Sequence, residues 1–214
     1  MRIPRLHLIE LEDQSWFPAT IRDFVTDYLH FMGTRFGLHQ PAVALVAEVL
    51  RRSDSTHIVD LCSGGGGSIP SLVHALAAQG VRPQVTLTDR FPNTQAFQRV
   101  AAASNGQISF HNDPVDARTV PPDMRGLRTM FNAFHHFRPC DAMAVLRDAV
   151  QAGQPIGIFE IPDRSLRTLV PMFFLVPILV AITAPFIRPF RWRRLLWTYL
   201  FPLPRGSWIF LFAY

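Results

Sequence analysis

The chain has 214 residues, enough for one domain with a full core and an appendage, and it is apolar for a soluble enzyme, with 49% hydrophobic and 17% charged residues. Its formal charge of +5 arises from 21 basic residues, every one of them arginine, against 16 acids. With no lysine there can be no P-loop lysine on a nucleotide phosphate, no Schiff-base lysine for pyridoxal phosphate and no Tyr-x-x-x-Lys dehydrogenase pair.

The charge is also uneven. All sixteen acids lie at or before Asp163; from Ser165 onward there are six arginines (Arg167, Arg188, Arg191, Arg193, Arg194, Arg205) and no acid. The basic character therefore belongs to an apolar tail, which suits an anionic membrane surface better than nucleic acid, whose readers interleave basic with polar residues over a folded face. Cys62 and Cys140 are too few and too isolated for a disulfide framework or a zinc site, so no metal is expected. The opening MRIPRLHLIELEDQ lacks the apolar core and cleavage site of a secretory signal, so the first part of the chain is expected on the cytoplasmic side.

In chain order, residues 1–55 read as a helical lead-in. Ile21, Phe24, Val25, Tyr28, Leu29 and Met32 recur at helical spacing over Ala19–Met32, after Pro18 in the first turn. A second helix fits Pro41–Arg52, ending in two arginines that suit its negative end. Residues 56–164 then alternate: strand Thr56–Leu61, helix Ile69–Gln79, strand Gln84–Asp89, helix Thr94–Ala103, strand Gln107–Asn112, strand Leu127–Phe134, helix Asp141–Gln151 and strand Pro155–Pro162. Strands separated by helix-length crossovers imply an α/β, Rossmann-like doubly wound, mostly parallel sheet covered on both faces. Residues 165–214 form the apolar, basic tail, where Thr168–Ile187 carries no charge and is long enough in principle to cross a bilayer.

The chemistry concentrates between Asp60 and Ser68, where a strand ends in Asp and is followed by Leu-Cys-Ser, four glycines and a helix. Glycines permit a tight strand-to-helix turn and close approach of a ligand to the backbone, and the helix start offers N–H groups. In an open α/β sheet this turn lies at the carboxyl edge, where ligands bind. The third glycine of G-x-G-x-x-G is missing, because counting from Gly64 and Gly66 lands on Ile69. Asp60 would repel a pyrophosphate and suits a cationic ligand, while Asp89, ending the second strand, can hold a ribose diol.

These segments carry a family resemblance. IVDLCSGGGGSIPSL resembles the glycine loop of class I S-adenosylmethionine (SAM)-dependent methyltransferases, and TLTDRFPN resembles their ribose-binding turn. HNDPVDARTVP resembles the loop flanking the adenine, and TMFNAFHHF the fourth-strand motif beside the transferred methyl group. The resemblance implies SAM as cofactor, with Asp60, Cys62, Gly64, Gly65 and Gly66 near its methionine moiety. It further implies Asp89 on the ribose hydroxyls, Asp116 and Ala117 at the adenine, and Asn132 at the mouth of the site. Asp113 is the alternative to Asp116. Cys62 stands where the family's loop has its first glycine, and the last one or two strands of the family's sheet are missing unless WIFLFAY is a degenerate sixth strand.

His135 and His136 are the candidate bases for the acceptor's proton; alternatively one of them packs or caps the next helix and neither reacts. Trp16 and Phe17 read as core aromatics, with a lid over the cofactor as the alternative. For the tail, a buried helix would need a polar stripe that it lacks, and a straight span would carry Arg188–Arg194 to the far side and be interrupted by Pro171, Pro177 and Pro185. A kinked, re-entrant or interfacial element over 168–204 is favoured, with the arginines at lipid phosphates and Trp192, Trp197 and Tyr199 at headgroup level. The function expected is therefore methyl transfer to a small or lipid-like apolar acceptor at a membrane. A non-catalytic SAM-binding or membrane-tethering protein is the second reading, and an NAD(P)-dependent oxidoreductase the third.

Overall fold

The computed structural model describes residues 14, 16–37, 39–53, 55–160, 166–188 and 190–200. The described chain divides into two compact units: Met32–Glu160, and the segments before and after it.

In the Met32–Glu160 unit five strands form one sheet: β1 (His57–Leu61), β2 (Gln84–Leu87), β3 (Ile108–Phe110), β4 (Leu127–Phe131) and β5 (Ile156–Phe159). All pairings are parallel and the order is β3-β2-β1-β4-β5, so the chain reverses its direction of winding between β1 and β4. This is the expected doubly wound Rossmann-like sheet, with its switch point beside the glycine loop. Alternate residues face opposite layers. Ile58, Leu127, Val85 and Ile108 pack with α2 (Gln40–Arg52), α3 (Ile69–Ala78) and Phe97 of α4 (Thr94–Ala102). Val59, Leu61 and Met130 pack on the other face with Val145 of α5 (Pro139–Gln151).

Several element ends differ from the sequence reading, each for a local reason. The first helix, α1, runs Ala19–Arg35 and continues through Gly33, stopping at Gly37 with φ +62°. A Cβ on Gly33 would lie 2.5 Å from Ser68 Oγ, so the helix passes close to the start of α3 and a larger residue would have to turn the Ser68 hydroxyl aside. β4 ends at Phe131, three residues early, because Asn132 takes φ +50° and a 3-10 turn follows at Phe134–His136. α5 begins at Pro139, earlier than Asp141, since proline fits the first helical turn.

The second unit contains α6 (Leu166–Thr183), a 3-10 turn (Ala184–Phe186) and α7 (Trp192–Leu200), together with the first part of α1. The straight membrane span is corrected here: among the described residues no helix is long and apolar enough to cross a membrane. The 18 residues of α6 rise about 27 Å at 1.5 Å each, short of the roughly 30 Å hydrocarbon core, and Pro171 and Pro177 lie inside it. The arginine cluster also divides. Arg194 is 3% exposed, pairs with Asp27 of α1 at 3.1 Å and donates to the Ile187 carbonyl at 2.6 Å. Arg194 therefore does not face lipid, whereas Arg188 and Arg193 are exposed. Phe17 is buried and Trp16 exposed, the two rings edge to face at 6.3 Å. WIFLFAY and the Trp197 side chain lie outside the described residues.

Candidate cofactor and catalytic site

The candidate site lies wholly within the Met32–Glu160 unit, at the carboxyl ends of β1, β2, β4 and β5. The register pairs Asp60 with Thr129 across β1 and β4, which puts both side chains on one face. Thr129 Oγ1 donates to Asp60 Oδ1 at 2.6 Å, and Ser63 Oγ donates to Oδ2 at 2.7 Å. Burial pushes the Asp60 carboxyl up to about 7; the two hydroxyl bonds oppose that rise, and the charge of Asp89 adds to it. Asp60 is thus a buried tie beneath the loop rather than a charge displayed on its surface.

The loop itself is knitted to β2. Thr88 donates its amide and its hydroxyl to the Asp60 carbonyl, at 2.9 and 2.8 Å, and accepts from the Ser63 amide at 2.9 Å. The Gly64 amide donates to Asp89 Oδ2 at 2.8 Å, and Phe91 N donates to Oδ1 at 2.8 Å. Cys62, Gly64, Gly66 and Gly67 all take positive φ, at 58°, 57°, 89° and 44°. Cys62 therefore adopts the left-handed conformation that glycine takes without strain, and its partly buried side chain packs against the core cluster that holds Val59, Leu61 and Met130. A Cβ on Gly66 would lie 3.0 Å from Val100 of α4, while one on Gly67 would meet nothing within 4 Å, so the loop is tight beneath and open at its crest. Gly65, between Gly64 and Gly66, is buried.

The next loop joins the same edge through Val115 N, which donates to the Asp89 carbonyl at 2.9 Å. Asp116 is engaged by Arg118: Oδ1 accepts from its amide and Nε, both at 2.9 Å, and Oδ2 from Nε at 3.2 Å and Nη2 at 2.6 Å. The Arg118 side-chain bonds, opposed by burial, hold the Asp116 carboxyl below its ordinary range, and Arg118 also reaches Asp141 at 2.8 Å. Four bonds match the acceptor capacity of one carboxylate, so Asp116 here anchors Arg118. Ala117 is buried with Val59, Leu61 and Met130 as core, and Asp113 is exposed, its carbonyl accepting from His111 Nδ1 at 3.1 Å.

On the other side of the switch point, Asn132 donates its amide to Phe159 O at 2.8 Å, binding the β4 end to β5. The 3-10 turn then presents His135, whose Nδ1 lies 2.5 Å from Glu160 Oε2, while Glu160 Oε1 accepts from Phe134 N at 2.8 Å. Burial pushes the Glu160 carboxyl upward, but the His135 hydrogen bond and charge, with the Phe134 amide, outweigh it and hold the group below its usual range. An ionised Glu160 fixes the Nδ1–H tautomer, which leaves proton exchange to Nε2. The His136 ring stands 4.5 Å from that of His135, centroid to centroid. Glu160 escaped the sequence reading, although an acid at the carboxyl end of a parallel strand was a signal for it. Ser63 and Thr129 escaped as well, being ordinary polar residues whose role appears only through strand register.

No protein-family model and no curated protein matches the chain. Among solved structures it is similar to an O-methyltransferase family protein from Burkholderia thailandensis, at 19% identity, 62% of this chain, 40% of that chain and a TM-score of 0.45. It is also similar to PigF with SAH, at 22% identity over 70% of this chain and 44% of that one, TM-score 0.48. A third is the plantazolicin methyltransferase BpumL in complex with SAH, at 15% identity over 69% and 53%, TM-score 0.47. The chain spans only 40% to 53% of the length of these structures. Likeness at these values assigns neither an activity nor a residue role, so the site is read from its own geometry.

Proposed function

We propose that the protein is a SAM-dependent methyltransferase of class I type, acting on a small or lipid-like apolar acceptor at the cytoplasmic side of a membrane. One observation carries the reading: at the switch point, the Asp60–Ser63–Gly64–Asp89 network faces the carboxyl edge together with the His135–Glu160 pair of the neighbouring strands. The residues fit SAM. A Cβ on Gly67 would meet nothing within 4 Å, so the loop leaves room there, and the Asp89 carboxylate beside it suits a sulfonium and an ammonium and opposes a pyrophosphate. Bound there, SAM supplies an electrophilic methyl group on a cationic sulfur.

The chain's own residues then divide the work. Asp89 fixes the loop through the Gly64 and Phe91 amides and, standing just beyond the end of β2 at the carboxyl edge, is the group to receive a ribose hydroxyl. Asp60 shapes the loop from beneath and acts on the cofactor through it. Gly64, Gly65 and Gly66 let the backbone approach, and Cys62 and Asn132 turn the chain at the two strand ends. The Asp116–Arg118 pair forms the wall beside the adenine, with Ala117 packed into the core behind it. His135 would accept the proton of the acceptor nucleophile at Nε2, with Glu160 holding the imidazole in place. His136 supports that ring.

The acceptor class is argued from the apolar tail, since a greasy acceptor is gathered from a bilayer. S-adenosylhomocysteine is expected to raise the melting temperature of the wild type by several degrees through linkage and to leave Asp89→Ala unmoved. An equal rise in both proteins would remove Asp89 from the site, and no rise in either would remove the site itself.

A further inference from the structure

The second unit exposes an apolar row on α6. On α6, Phe174, Ile178 and Ile182 recur four residues apart and are 64%, 54% and 61% exposed, and Phe186 in the following 3-10 turn extends the row at 67%. Four-residue spacing places such side chains one above another on a single face. Tyr199 of α7, itself 50% exposed, donates its hydroxyl to the Ala181 carbonyl at 2.7 Å, so α7 lies beside Ile182. Phe190, Trp192 and Leu196, in and just before α7, are exposed as well.

Residues 166–200 contain five arginines and no acid. Arg194 is consumed by Asp27, and Arg191 lies over the Phe24 ring at 6.0 Å. Arg188 and Arg193 are exposed, the latter guanidinium 5.7 Å from the Trp192 ring it covers. Exposed aromatic and aliphatic side chains together with the exposed Arg188 and Arg193 in one segment match the border between acyl chains and anionic headgroups. A protein partner with an acidic apolar groove would satisfy the charge, but it would not require so long a strip without a single polar hydrogen-bonding side chain of the uncharged kind between Phe174 and Ile182.

We propose that the α6–α7 strip seats the protein on an anionic lipid surface, lying in the interface with Ile178, Ile182 and Phe186 entering the acyl border and Arg188 and Arg193 at the phosphates. This rests on the membrane part of the function proposed above and names its contact surface and lipid chemistry; it is independent of methyl transfer.

The test is flotation of the full chain with vesicles of phosphatidylcholine alone or with about one third phosphatidylglycerol, with S-adenosylhomocysteine binding measured on the same preparations. Wild type is expected to float with the anionic vesicles and to be released by high salt. Arg188→Gln with Arg193→Gln is expected to weaken that binding by about tenfold or more, and Ile178→Asp with Ile182→Asp to abolish it, both with nucleotide binding intact. Equal flotation with neutral vesicles would overturn the charge recognition. No flotation of a protein that still binds S-adenosylhomocysteine would overturn the lipid seat while leaving the methyl-donor site standing. A dimer in solution broken by the Ile178→Asp, Ile182→Asp pair would assign the strip to a second copy instead.

Discussion

At the residue scale, the site depends on side chains whose chemistry is set by what surrounds them. Asp60 is the clearest case. Its carboxyl is raised from 3.8 to about 7 by burial, so between those values the folded chain holds a proton that the unfolded chain has released. The corresponding stability is fully present below about pH 4 and is lost as pH rises through about 7, with a ceiling of about 4 kcal/mol. Asp60→Asn keeps an acceptor and removes the titration. Urea unfolding of both proteins from pH 4 to 8 is expected to show the wild type losing stability relative to Asp60→Asn across that window; parallel curves would contradict the assignment. His135 and Glu160 give a second test. With a defined acceptor, His135→Ala should lower kcat by about 100-fold to 10,000-fold, and Glu160→Gln by less, with S-adenosylhomocysteine affinity unchanged in both. A His135→Ala, His136→Ala double variant with full turnover would exclude the histidines from the chemistry. Motif order made Asp60, Asp89 and the histidines legible in the sequence. The left-handed backbone at Cys62 and Asn132 was not, because neither residue type announces it as glycine does.

At the element scale, the alternation of short β-branched runs with helical periods was enough to give five parallel strands in the right places. The ends were harder, because β4 stops where a backbone twist at Asn132 stops it and the helix after it starts at a proline. Hidden in β4 is Arg128, only 1% exposed, which donates to Asp148 of α5 at 2.5 Å and clamps that helix to the sheet. Nothing in LRTMF marks this arginine as buried, since its partner lies twenty residues away on another element. Removing one member of a buried pair strands the other charge, so Asp148→Ala should destabilise the protein by about 3 kcal/mol or more. Arg128→Met combined with Asp148→Leu should recover most of that loss, as read by chemical denaturation. Equal losses in the single and double variants would mean that packing, not charge, sets the cost.

At the scale of the whole molecule, the sequence reads as a lead-in over 1–55, a central part over 56–164 and a tail over 165–214, whereas the structure groups residues into Met32–Glu160 and the segments on either side of it. The second unit draws on both chain ends, and the Asp27–Arg194 pair joins residues 167 positions apart, a contact that no local pattern reveals. That pairing also explains why a run of arginines read as uniformly lipid-facing is not uniform. The catalytic reading, by contrast, needs only the Met32–Glu160 unit, whose loop, acids and histidine all meet at one sheet edge. Its central claim is the identity of the ligand at that edge. Calorimetric titration of the detergent-solubilised full chain with SAM, S-adenosylhomocysteine and NAD in parallel tests it directly. The account predicts saturable binding of the first two and none of NAD; tight NAD binding with no response to the other two would contradict it.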